Sequence, residues 1–236
     1  MNSRNGKKLV VGGFVPLTTT DLPGALSAVV FCQGCPWACR YCHNTHLITP
    51  SPQPDAPNWD ELLEFLRRRR GLLDAVVFSG GEPTMQSALV GAVEQVASLG
   101  FAIGLHTAGQ YPRTLAQVLP YLSWIGMDLK APMHNYDSLV KRKVQPSKIL
   151  ASIEMIVSSG VNYEFRTTVH PTLHGGEDIV EISQLLKSFG VKKYVLQKFR
   201  AQGCGDNDLC CSADTSPVTR DLVATLESSF EEVELR

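Results

Sequence analysis

No stretch of this chain reaches the roughly 18 to 20 consecutive apolar residues that a membrane-crossing helix needs, so no helical span is expected. Net charge is scarce too: 22 Lys and Arg stand against 23 Asp and Glu, a formal balance of -1. Such a surface has no general attraction for polyanions, and nucleic acid is not an expected partner. The opening MNSRNGKKLVVGGFVPLTTT lacks the features of a secretory signal: paired glycines and a proline break its apolar run, and no small-residue cleavage pattern follows. A cytoplasmic chain is expected, a setting in which disulfides are uncommon. Internal repeats and flexible linkers are also missing. The Pro-rich SPQPDAPN at 51–58 and the polar AQGCGDNDLCCSADTSP at 201–217 read as loops.

What is present is an ordinary globular composition, with 44% apolar and 19% charged residues in 236 positions. One domain over 1–236 is expected, with residues 1–25 as a lead-in segment. Short β-rich runs lie at 27–32, 74–79, 101–107, 123–130, 163–169 and 192–199. Helical periodicity fills 58–70, 86–98, 112–120, 146–159, 177–188 and 216–229, the fourth opening on Pro146 and Ser147. The alternation predicts an α/β fold with parallel strands and right-handed crossovers. Periodicity does not decide between an open sheet and a curved one. The groups SGGEP, HTAG, MDLK and RTTVHP each fall at the C-terminal end of a strand, where parallel α/β folds bind ligands, so these ends are expected to share one site.

Seven cysteines fall in two groups. In FCQGCPWACRYCHN, Cys35, Cys39 and Cys42 have the spacing C-x3-C-x2-C, and Cys32 precedes them. Three thiolates on a short loop can cap three irons of a cubane cluster whose fourth iron stays open. Zinc is the rival, with His43, His46 or Cys32 as fourth ligand, and a disulfide pair is a third reading that fits the compartment poorly. FSGGEP at 78–83 follows a strand. Its glycines free the backbone to approach a small polar ligand, although an ordinary strand-to-helix turn has the same composition.

Taken together, C-x3-C-x2-C after the first strand and GGEP after the second resemble the radical S-adenosylmethionine (SAM) superfamily over nearly the whole chain. The resemblance implies a partial (β/α)6 TIM-like barrel. It also implies one 4Fe-4S cluster ligated by Cys35, Cys39 and Cys42, whose open iron chelates SAM and whose reduced form cleaves it to a 5'-deoxyadenosyl radical. Tyr41 would pack by the adenine, and Gly80, Gly81 and Glu82 would bind the methionine amino group. Thr107, Asp128, Lys130 and Arg166 resemble the SAM-contacting strand ends of glycyl-radical-enzyme activases; Lys130 and Arg166 are cations suited to a carboxylate. For these four, a salt bridge or strand-end hydrogen bond is the plain structural alternative.

Residues 18–35 with the ensuing CHN are similar to activases of anaerobic ribonucleoside-triphosphate reductase and of pyruvate formate-lyase. Residues 43–79 leave no room for a ferredoxin-like insertion. DLPG, FRTTV and VLQKFR favour the reductase type, whose implied partners are the reductase and a flavodoxin or ferredoxin donor. His106, where the family often has an acidic residue, speaks against a monovalent cation site, and His170 replaces a usual apolar residue before Pro171. Rival readings are the formate-lyase-type activase, a radical SAM enzyme for a small molecule or nucleobase, and a zinc-stabilised binding module. Cys204, Cys210 and Cys211 fit no named cluster motif; zinc, a second cluster, a redox pair or plain loop thiols stay open. The RRRR run at 67–70 suits a helix C-terminus, and His134, His170 and His174 are treated as ordinary residues.

Overall fold

The computed structural model describes residues 8–212 and 218–236. Eight strands form one sheet in sequence order. They are β1 (Val11–Thr18), β2 (Ser27–Cys32), β3 (Ala75–Gly80), β4 (Ala102–Thr107), β5 (Trp124–Asp128), β6 (Asn162–Val169), β7 (Lys193–Lys198) and β8 (Glu232–Leu235). All neighbours pair in parallel except β1 with β2. The helices are α1 (Trp59–Arg68), α2 (Leu89–Ser98), α3 (Pro112–Val118), α4 (Tyr136–Val140), α5 (Pro146–Ser158), α6 (Gly176–Ser188), α7 (Asn207–Cys211) and α8 (Arg220–Glu227). β2 to β7 are the six expected strands. The lead-in segment is a strand in part, because β1 lies antiparallel along β2, and β8 extends the opposite edge. Pro16 is tolerated in β1 because an edge strand needs fewer ladder donors. Residues 216 and 217 of the expected last helix lie outside the described residues, as do 213–215 of the expected loop.

Two apolar layers follow from the period of two along each strand. One face of the sheet packs on the helices through Val30, Phe78, Leu105, Met127, Phe165 and Leu196. The other forms a small inner cluster of Leu22, Val29, Ala75, Val77 and Trp124. Moving toward the C-terminal strand ends, this inner face changes character. Val77 gives way to Ser79, Gly104 to His106, Gly126 to Asp128, and Glu164 to Arg166 and Thr168. The apolar cluster thus plugs the sheet's concave side, and a polar ring stands above it. Helix ends are locally specified: Asn58 caps α1 and forms a reciprocal box with Glu61, while Arg67 and Arg68 of the basic run pair with Glu64. No helix among the described residues is long and apolar enough to cross a membrane.

Candidate active site

The polar ring and the cysteine loop enclose a cavity of about 220 Å³. Cys35, Cys39, Cys42 and Tyr41 line it from one side, and Gly80, Gly81, Thr107, Asp128, Lys130 and Arg166 from the strand ends. Every expected site residue except Glu82 therefore faces one volume. The loop is held by main chain: Gly34 and Cys35 N–H donate to Leu47 and Ile48 carbonyls at 2.8 and 3.0 Å, and Cys42 N–H closes a turn on Cys39 O at 3.0 Å. Among the described residues, no three His, Cys, Asp or Glu side chains are grouped to hold a metal ion. Cys35, Cys39 and Cys42 nonetheless line the same cavity. Burial pushes the Cys35 thiol up to about 12 and the Cys39 thiol up to about 11, with Lys130 opposing the rise at Cys39. A metal ion held by these two thiols would have to displace a proton from each.

At the GGE segment, Gly80 has φ +112°, and a Cβ there would lie 2.5 Å from Cys32 N. A Cβ on Gly81 would collide with the Gly34 carbonyl. This close approach lets Gly81 N–H donate to Cys32 O at 3.0 Å and Glu82 N–H to Gly34 O at 2.9 Å, joining the end of β3 to the cysteine loop. With those N–H groups engaged, the segment can offer a ligand carbonyl oxygens, the right partners for an ammonium. The Glu82 carboxylate turns into the protein. It accepts from Thr107 Oγ1 and Ala108 N–H at 2.7 Å each, and from the N–H and hydroxyl of Thr84. Burial raises its pKa against these bonds.

On the opposite wall, Asp128 accepts from Arg166 Nε at 2.7 Å and Lys130 Nζ at 2.8 Å. Burial would raise its pKa, but the two cations outweigh this and hold it well below the usual carboxylate range. Lys130 and Arg166 share this one acid, and Arg166 Nη1 also lies 3.9 Å from Glu164 Oε1; the two cations still carry N–H donors that an anionic ligand can use. Gly126 makes room, because a Cβ there would lie 2.7 Å from Arg166 Nη1. Glu164, on the same face of β6, forms a bidentate pair with Arg236 at 2.9 Å for both contacts. Sequence reading missed Glu164 and Arg236; the signal for Glu164 was its place two residues before Arg166 on the same face of β6. It also missed Gln197 as a lining residue, whereas His43, weighed as a zinc ligand, and Thr168 of RTTVHP do line the cavity.

His106 is neutral by construction. Its Nε2–H donates to Asp21 O at 2.9 Å, and its Nδ1 accepts from the Ser79 hydroxyl at 3.3 Å. Burial, then the charge of Arg166, lowers its pKa to about 4. Between an unfolded value of about 6.5 and this one, the unfolded chain binds a proton that the folded chain refuses. Its contribution to stability is complete above that window and declines as pH falls through it. Thermal unfolding of His106→Gln measured from pH 7 to 4 is expected to lack this component of the wild-type decline; an unchanged profile would refute the assignment.

Three other histidines make structural contacts outside the cavity: His170 Nε2–H donates to Leu209 O at 2.9 Å and His174 Nε2–H to Lys130 O at 2.8 Å, while exposed His134 pairs with Glu181. Cys204 donates to Arg40 O at 3.5 Å and Cys210 to Ala201 O at 3.7 Å, while Cys211 is exposed.

A second cavity, of about 300 Å³, adjoins the first and shares His43, His106, Arg166, Thr168 and Gln197 with it. Its outer rim includes Thr20, Asp21 and Pro23 of the DLPG segment.

Residues 29–189 match the model of the Radical SAM superfamily. The chain is 29% identical over 211 residues to a candidate glycyl-radical enzyme activating enzyme of Methanocaldococcus jannaschii, covering 85% of this chain and 84% of that one. It is 28% identical over 192 residues to the pyruvate formate-lyase-activating enzyme of Clostridium pasteurianum, covering 78% and 79%. The crystal structure of QueE from Escherichia coli superposes with a TM-score of 0.58 at 16% identity over 97% of this chain and 94% of that one, a likeness of fold. Members of the matched family use a 4Fe-4S cluster and SAM, and the donor set around the cavity, three thiols facing two cations and a glycine-rich strand end, fits both. The cysteine loop, the strand-end ring and the match across residues 29–189 converge on one conclusion: the chain belongs to the radical SAM superfamily.

Proposed function

We propose that this chain, acting as one radical SAM domain in the cytoplasm, is an activase that generates a glycyl radical on an anaerobic ribonucleoside-triphosphate reductase. The observation that carries this reading is the pair of adjoining cavities: the thiol-lined one shares five wall residues with a second one lined by Thr20, Asp21 and Pro23, and this second space is where the partner's glycine loop is placed. The two activating-enzyme relatives support the activase class.

A 4Fe-4S cluster and SAM held here would supply the radical chemistry that removes a hydrogen atom from the partner's glycine. This chain's residues do the positioning. Cys35, Cys39 and Cys42 hold the cluster, and carbonyls of Gly80 and Gly81 receive the methionine ammonium. Lys130 and Arg166, steadied by Asp128, receive the carboxylate, and Tyr41 lies by the adenine. Glu82 fixes Thr107 and Ala108 at the cavity wall. The plugged inner face and the roofing loop exclude water from the reacting groups.

The formate-lyase-type relative supports a second target. Mixing the reconstituted, reduced protein and SAM with either candidate enzyme, and recording electron paramagnetic resonance, separates the two. A glycyl radical on the reductase is expected. A radical only on pyruvate formate-lyase would move the target, and deoxyadenosine without any protein radical would move the protein to a small-molecule branch.

A further inference from the structure

The cluster of such an enzyme must receive an electron from outside, and one surface segment lies against its loop. Cys39 is flanked by Ala38 and Arg40, whose N–H groups donate to Val140 O at 3.0 Å and Leu139 O at 3.2 Å. These two acceptors end α4, and the chain continues directly into Lys141-Arg142-Lys143, all exposed. The attachment is rigid. Tyr136 of α4 is fully buried, packs edge-on against Trp37 at 5.5 Å between ring centres, and its hydroxyl accepts from Lys130 N–H at 3.0 Å.

Charge at this corner is unbalanced. Lys143 pairs with Asp137 at 2.9 Å, but among the described residues neither Lys141 nor Arg142 has an acidic partner. The backbone carries a second sign. Lys141 closes α4 with φ 56° and ψ 28°, and among the described residues it is the sole non-glycine with positive φ. A helix ending in this conformation ordinarily takes Gly, because a Cβ is disfavoured there. A lysine held in it marks a place where the side chain is needed.

We propose that Lys141, Arg142 and Lys143 form the docking surface for an acidic one-electron carrier protein that reduces the cluster, an inference that rests on the activase reading above. In the step, one electron leaves the reduced carrier, which is oxidised by one electron, and enters the oxidised cluster, which is reduced by one; no covalent bond is made or broken. Electron transfer weakens steeply with distance, and the two residues just before this patch accept from the backbone N–H groups on either side of Cys39. The patch lines neither cavity, whereas the partner's glycine must pass the Thr20–Pro23 rim. Carrier and glycyl-radical partner can therefore engage different faces.

The test uses an acidic flavodoxin with the full-length protein, with and without its cluster. Titration at low ionic strength is expected to show binding that weakens with added salt. The variant Lys141→Glu/Arg142→Glu should lose about tenfold or more in affinity and in the rate of cluster reduction by flavodoxin, while dithionite reduces both proteins equally. Lys141→Gly should bind about twofold to threefold less tightly while its melting temperature holds or rises, because Gly suits this backbone. A purely structural lysine would leave binding unchanged. Unaltered affinity in both variants, or a loss confined to the glycyl-radical partner, would overturn the proposal. A protein that takes up no cluster yet still binds flavodoxin through these residues would overturn the activase reading and leave the docking surface standing.

Discussion

Replacing Cys35, Cys39 or Cys42 by Ala is expected to abolish cluster binding and SAM cleavage, whereas Cys32→Ala keeps both. The four thiols lie within residues 32–42 but in different environments. Cys35, Cys39 and Cys42 line the cavity, and a cluster left with two protein ligands is labile. Cys32 ends β2, is 0% exposed within the helix-facing core, and burial pushes its thiol far above the usual range. It behaves as a small apolar side chain, so its truncation costs about 1 kcal/mol of stability. Iron content and the dithionite-bleachable absorption near 400 nm after anaerobic reconstitution are the measurements. A Cys32→Ala protein as iron-free as the other three would sink the ligand assignment.

Glu82→Ala is expected to destabilise the fold by about 3 kcal/mol, the combined cost of several buried donors left without an acceptor, and to lower SAM affinity through the displaced strand end. Thr84 N–H, the Thr84 and Thr107 hydroxyls and Ala108 N–H all converge on this one buried carboxylate. Glu82→Gln should keep most of the stability, because Oε1 alone accepts from Thr84 N–H and from the Thr84 and Thr107 hydroxyls and an amide oxygen can take its place, leaving only Ala108 N–H against an amide donor. Denaturant unfolding of the apo-protein reads the structural effect apart from catalysis. A stability within about 0.5 kcal/mol of wild type, the range of an unimportant surface change, would show that the carboxylate is not the anchor described.

The parts of this fold that sequence reading recovered are those with strong local signals. β2 to β7 carry dense apolar β-formers between turn residues, and β3 to β6 each end in a polar group that marks the ligand side. β1 escaped because Gly12, Gly13 and Pro16 dilute its signal, and β8 because Glu232-Val233-Glu234-Leu235 is short, charged and stabilised by pairing with β7. The same distinction runs through the site. Cysteine spacing and the GGEP segment are local, so their meeting at one cavity could be expected from the chain.

The inward turn of Glu82 is another matter. It depends on Thr107 and Ala108, which arrive from β4 and can be brought there only by the parallel register of β3 with β4. The charge sequence from Lys130 through Asp128, Arg166 and Glu164 to Arg236 likewise needs β5, β6 and β8 on one sheet. By itself the sequence determined the strand–helix alternation, the incomplete cysteine set and the strand ends that carry polar groups, because each is written in neighbouring residues. The tertiary structure decided which carboxylate faces the cavity, which is consumed by the protein, and which cations stay in reserve, because charge balance in a buried site is set by residues far apart in the chain.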